Sequence, residues 1–168
     1  MAIKDLLIEL NSLKTSGIVE DYAIGGGYAA ILYHSGMVSY DVDVFVILSK
    51  DGDYHRIYEY YRAKGARIEN VYIYIGDMPV QFLPDISELH DEAVKKASLI
   101  ENDGVQGRFV SIEYLILMFL TVWRDKDRIR IQTLMKTANR ELLDNLVQRF
   151  SRGDNKIQTR YREILGGT

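Results

Sequence analysis

Tyr22-Ala23-Ile24-Gly25-Gly26-Gly27-Tyr28-Ala29, followed after a short helical stretch by Asp41-Val42-Asp43-Val44-Phe45-Val46-Ile47-Leu48, is the passage on which the reading of this chain turns. Side chains on a strand alternate between faces, so Asp41 and Asp43 point one way while Val42 and Val44 point the other. Two neighbouring carboxylates repel unless a cation lies between them. Mg²⁺ takes hard oxygen ligands, commonly one or two carboxylates completed by the oxygens of a substrate phosphate. The glycines supply the other half: bare backbone approaches a ligand closely, and the N–H groups opening the next helix receive phosphate oxygens. Taken singly, each half has a plainer reading, a tight strand-to-helix turn or a solvated strand end. It is their order that is specific: apolar strand, glycines, a helix from Tyr28 to His34, then the paired acids leading an apolar strand.

That order resembles the DNA polymerase β-like nucleotidyltransferase superfamily, with Gly26-Gly27-Tyr28-Ala29 matching its glycine motif and Asp41-Val42-Asp43-Val44 its acidic one. The sequence is most similar to the small prokaryotic members, of abortive-infection toxin type and antibiotic nucleotidyltransferase type. A second match is Glu113-Tyr114-Leu115-Ile116 followed by Arg124-Asp125-Lys126-Asp127-Arg128, so the resemblance spans roughly residues 20 to 135. It implies an α/β (α+β) fold, a mixed sheet flanked by helices, with residues 1–110 as the nucleotidyltransferase-like core and 111–168 as a helical extension packed on it. It further implies transfer of a nucleoside monophosphate from an NTP to a hydroxyl acceptor. Asp41 and Asp43 would hold Mg²⁺ or Mn²⁺, and Gly26, Gly27 and Ser39, with Lys126 and Arg128 from the helical region, would hold the nucleotide. The acceptor, whether RNA, protein or small molecule, is left open, as is a partner protein of the toxin–antitoxin kind.

The chain departs from the family's pattern at the position of the third carboxylate. Met78-Pro79-Val80-Gln81-Phe82-Leu83 places Gln81 there; an amide accepts a metal or a hydrogen bond but is no general base near neutral pH. Asp77 and Asp85 are the alternatives if the register differs. Met37 stands where a basic residue is frequent, Ser39 keeps a hydroxyl in the usual place of threonine, Phe119 replaces a frequent lysine, and Arg130 replaces a second acid. These departures sustain an alternative: a degenerate nucleotidyltransferase fold that binds nucleotide, RNA or protein without catalysis. In a third reading the protein is structural and the acids are merely solvated.

Composition sets the remaining bounds. A chain of 168 residues with 47% hydrophobic content makes one packed domain, or one domain with a helical extension. The lack of cysteine rules out a disulfide, a thiolate nucleophile and a cysteine-based zinc site. No long apolar run of signal-peptide type opens the chain, which agrees with a cytoplasmic location, and the most apolar stretch, Ile112 to Trp123, contains Glu113 and is too short to span a bilayer. The net charge of −3 divides unevenly: residues 124–168 carry eleven Lys or Arg against six Asp or Glu, a balance of +5, which leaves −8 on the rest. A basic tail can hold a triphosphate or an RNA backbone, although charge runs such as Arg140, Arg149, Arg152, Lys156, Arg160 and Arg162 usually form the solvated faces of amphipathic helices.

Elsewhere, Ile3, Leu6, Leu7, Leu10 and Leu13 at helical spacing predict an amphipathic helix stopped by Gly17. Asp51 or Asp53 caps a helix with a Tyr54, Ile57, Tyr58 and Tyr61 stripe that reads as core. Arg67–Ile75 and Pro79–Leu83 read as strands joined at Gly76-Asp77. Asp85 with Glu88 resembles a capping box. Asp103-Gly104 marks a turn, Ser111 caps the apolar helix, and two or three amphipathic helices complete the chain. His34, His55 and His90 show no metal-binding spacing, and the glycines lack a dinucleotide pattern.

Overall fold

The computed structural model describes residues 3–84 and 87–166. Seven strands form a single mixed sheet in the order β3-β4-β5-β2-β1-β7-β6. The central pair is β1 (Val19–Ile24) and β2 (Val42–Leu48), antiparallel, with α2 (Gly26–Tyr33) between them in the chain. On one side β5 (Met78–Pro84) runs parallel to β2, followed by β4 (Tyr72–Ile75) and β3 (Ile68–Glu69); on the other, β7 (Val105–Phe109) runs parallel to β1 and pairs with β6 (Ser98–Asn102).

Strand alternation sorts the two faces. Val42, Val44 and Val46 are at most 1% exposed on the face packed by α1 (Ile3–Thr15) and α3 (His55–Ala63), where Tyr61 stacks on Phe82 at 5.6 Å. The tyrosine stripe is core, as its spacing implied: the Tyr54 and Tyr58 hydroxyls donate to the Phe82 and Val71 carbonyls. Asp43, Phe45 and Ile47 face the opposite layer. There α4 (Glu88–Lys95) lays His90 on Phe45 at 5.0 Å, and α5 (Ile112–Val122) is buried from Glu113 through Leu120. A helix apolar all round must be enclosed on every side. α2, α4, α6 (Asp125–Leu134), α7 (Arg140–Phe150) and α8 (Lys156–Gly166) enclose it.

Several local expectations require correction. The stretch Arg67–Ile75 is two strands, β3 and β4, because Asn70 turns the chain at φ +54°. Asp103-Gly104 is the two-residue loop of a hairpin, both residues at positive φ, and its flanking strands β6 and β7 carry little strand signal of their own. Their residues Glu101, Asn102, Gln106 and Gly107 are poor strand formers, and Gly107 is needed because a Cβ there would lie 2.4 Å from Leu7. Ser111 occupies the N-cap of α5 but its hydroxyl does not cap the helix. Asp85, half of the expected capping box, lies outside the described residues; Ser87 is the N-cap of α4 and accepts the His90 N–H at 3.2 Å. Asp53 does accept the His55 N–H, at 2.9 Å.

Of the six basic residues named in the tail, Arg140, Arg149 and Arg160 are engaged in packing, while Arg152, Lys156 and Arg162 are exposed. Arg149 bonds Glu92, which also receives the Tyr114 hydroxyl, and Arg160 donates to the Leu120 and Thr121 carbonyls at 2.7 and 2.8 Å, satisfying the end of α5. Arg140 lies over Tyr161 and against Asp144. These arginines hold the helical layer together rather than forming a free basic stripe. No helix among the described residues is long and apolar enough to cross a membrane.

Candidate functional site

The two ends of the opening passage meet at the top of the central strands. The Gly25 N–H donates to the Asp43 carbonyl at 2.8 Å, tying the start of α2 to β2. Gly26 then takes φ +57°, and a Cβ there would lie 2.0 Å from Asp43 Oδ2. Only glycine admits this approach. Gly25, as N-cap, offers no side chain to the first turn, so the positive end of α2 is left for an outside acceptor. Gly26→Ala is expected to destabilise the fold by about 1–2 kcal/mol from the left-handed backbone alone and to push the Asp43 carboxylate aside. Chemical denaturation would register the first effect and nucleotide titration the second.

Asp41 stands just ahead of β2 and Asp43 within it. The Tyr72 hydroxyl of β4 donates to Asp41 Oδ2 at 3.3 Å, and the Asp41 charge in turn holds the Tyr72 phenol above its ordinary pKa. The Ser39 hydroxyl donates to the Asp41 carbonyl at 3.1 Å. Asp43 is half-buried; desolvation first, then the Asp41 charge, push its carboxyl above the usual carboxylate range, while Arg124, Arg130 and Lys126 pull it back. Gln81 is the register partner of Asp43 across the parallel β2–β5 pair, hence on the same face beside it. Asp77 lies in the exposed turn ahead of β5, and among the described residues no third acid clusters with the pair; Asp85 lies outside the described residues.

The opposing charge comes from the start of α6. Trp123 ends α5 in the left-handed conformation, φ 62°, its ring contacted by Arg128 at 4.7 Å and Arg160 at 5.6 Å, and this bend aims Arg124 back at the acids. Asp127, fully buried, accepts from the Arg124 backbone N–H and guanidinium at 2.8–3.1 Å and from Arg130 at 3.5 Å. Arg130 reaches the Val38 carbonyl, and its guanidinium would be 2.4 Å from a Cβ at Gly27, beside Ser39. It also lies over the Phe119 ring at 5.5 Å, so the cation absent at Phe119 is present one helix later. Of the two cations named from sequence, Lys126 adds its field to Asp43, whereas the contacts of Arg128 are to Trp123 and Asp125. Arg124, Arg130 and Tyr72 were not named as site residues. Arg130 was visible only as a departure, because nothing in a linear pattern shows which face of α6 turns toward β2.

Asp41 and Asp43, with the Gln81 amide in register beside Asp43, could supply hard oxygen donors to Mg²⁺ or Mn²⁺ shared with phosphates. Among the described residues no further His, Cys, Asp or Glu completes a three-residue cluster. The three histidines are not gathered: His34 bonds the Ser35 carbonyl and His90 pairs with Ser87 at 2.9 Å.

A mixed sheet with a glycine-opened helix set against a carboxylate pair defines a nucleotidyltransferase-like fold, and the comparisons with solved structures agree. The chain is similar to the antibiotic-resistance factor ANT(2'')-Ia in solution, with a TM-score of 0.55 and 17% identity over 96% of this chain and 98% of that one. It is likewise similar to the crystal structure of ANT(2'')-Ia in complex with adenylyl-2''-tobramycin (TM-score 0.53, 18% identity, 95% and 99% covered). A third is an antigenic nucleotidyltransferase-like protein from Paracoccidioides brasiliensis (TM-score 0.57, 15% identity, 93% and 90% covered). At these identities the likeness is one of fold. No protein-family model and no curated protein matches the sequence.

Proposed function

We propose that the protein is a nucleotidyltransferase that moves a nucleoside monophosphate from an NTP to a hydroxyl acceptor. The observation that carries this reading is the packing of Gly26 against Asp43: an uncapped helix start and a paired carboxylate share one point, with two guanidiniums opposite. Asp41 and Asp43, with Gln81 beside them, would hold the metal. When bound, Mg²⁺ or Mn²⁺ neutralises charge on the phosphate oxygens and aligns the α-phosphate. The N–H groups of Gly26 and Gly27, with Ser39 and Arg130, orient the polyphosphate, and Arg124 and Lys126 add positive field over the charge that develops on it. The acceptor oxygen bonds to the α-phosphorus, the bond to the bridging oxygen breaks, and pyrophosphate leaves with that electron pair. The hydroxyl proton passes to solvent, since Gln81 cannot take it.

Gln81, in register with Asp43, favours a second reading in which the same site binds nucleotide, RNA or a partner protein without turnover. Purified protein incubated with labelled NTPs, Mg²⁺ or Mn²⁺, and cellular RNA, protein and small-molecule fractions separates the two. Metal-dependent transfer of label is the expected result. Saturable nucleotide binding with no transfer to any fraction would establish the second reading instead.

A further inference from the structure

A cavity of about 630 Å³ opens from the site between the Asp43 face of the sheet and the C-terminal helices. Gly26, Asp43 and Arg124 line it where it adjoins the site, and most of the remaining lining is apolar, with Phe45, Leu83, Met118 and Phe150 among it. Its size is that of a pocket for a single small molecule, too small for a folded protein or an RNA strand. Gly26, Asp43 and Arg124 belong to both the cavity and the polyphosphate site, whereas Asp41, Ser39, Gly27 and Arg130 do not line it, so the cavity adjoins one end of that site and extends away from it. In an in-line displacement the incoming hydroxyl and the leaving pyrophosphate lie on opposite sides of the α-phosphorus.

We infer that this cavity is the acceptor site, and that it takes a small uncharged molecule with an aromatic or aliphatic body whose hydroxyl reaches the end at Asp43. The inference rests on the transferase reading for the word acceptor, while the ligand class rests on the walls alone. Burying such a body against Phe45, Leu83 and Met118 removes apolar surface from water, and among the described lining residues the carboxylates are Asp43, Glu88 and Asp154. The rim carboxylates Glu88 and Asp154 are exposed, where pairing with a cation is worth little. Apolar walls of this kind favour such a body over the polycationic sugar borne by ANT(2'')-Ia.

The test is calorimetric titration of the whole protein with 2-(1-naphthyl)ethanol, with tobramycin and with ATP as separate arms. Naphthylethanol is expected to saturate one site and tobramycin to give no saturable heat. Met118→Trp, which fills the cavity, and Val122→Lys, which places a charge on its half-exposed wall with no demand on packing, are each expected to weaken naphthylethanol at least tenfold. Asp41→Asn, outside the cavity, should abolish metal-dependent nucleotide binding and leave naphthylethanol within twofold. Absence of saturable naphthylethanol binding, indifference to both cavity variants, displacement by ATP, or preference for tobramycin would each overturn the inference. Failure of label transfer with naphthylethanol still bound would remove the transferase reading and leave the ligand class of the cavity standing.

Discussion

Asp43→Asn is expected to lower nucleotidyl transfer by about three orders of magnitude, the several kcal/mol that a metal-held phosphate contributes, while raising the melting temperature of the ligand-free protein by a few degrees. The two effects have one cause. Burial and the neighbouring Asp41 raise the Asp43 carboxyl above its ordinary range, so the folded state binds that proton more tightly than the unfolded chain does. Ionising Asp43 therefore costs the fold stability as pH climbs from the unfolded carboxylate value, about 3.9, through the raised one. Below that window the variant and wild type should melt together; above it the variant should be the more stable. Thermal melts from acidic to neutral pH would read this directly, and a gain that did not vary with pH would refute the electrostatic cause. Added Mn²⁺ with nucleotide should reverse the order, stabilising the wild type alone.

Asp127→Ala is expected to destabilise the protein by about 3 kcal/mol, because it leaves guanidinium and backbone donors around a buried position without their acceptor. For a chain of this size that corresponds to roughly 6–12 °C in Tm. Asp127 joins the N-cap backbone of α6 to both Arg124 and Arg130, so its loss should also release the two guanidiniums that face Asp43. Nucleotide affinity should fall even at temperatures where the variant is fully folded. Asp127→Asn, which keeps the shape and loses the charge, should give a smaller loss of stability with a comparable loss of affinity. Equal affinity in all three proteins would show that Asp127 serves the helix and not the site.

The elements that sequence disclosed were those in which local chemistry and burial agree. Val44-Phe45-Val46-Ile47 can only be an interior strand, the Leu6, Leu7, Leu10 and Leu13 repeat can only cover a sheet, and the all-apolar α5 can only be enclosed. The hairpin β6–β7 was half visible, as its Asp103-Gly104 turn, and escaped because its strands are made of residues that pairing with β1, not propensity, keeps extended. Ser111 misled because a serine in the right place need not turn its hydroxyl to the helix.

At the site the division is similar. Gly26, Asp41 and Asp43 are close in the chain and joined by one short helix, so their meeting follows from strand alternation and from glycine's freedom at positive φ. Gln81 comes beside Asp43 through a parallel pairing that no local pattern specifies. Arg124 and Arg130 arrive from more than eighty residues away, placed by the left-handed turn at Trp123 and by the buried carboxylate of Asp127. The apolar cavity has no counterpart in any single segment, since its lining comes from two strands and five helices. Read as a string, the chain determined a nucleotidyltransferase-like framework and its paired carboxylates. Packing alone decided which cations face them and what shape of molecule fits beside them, because contacts between distant segments depend on how helices seat against the sheet.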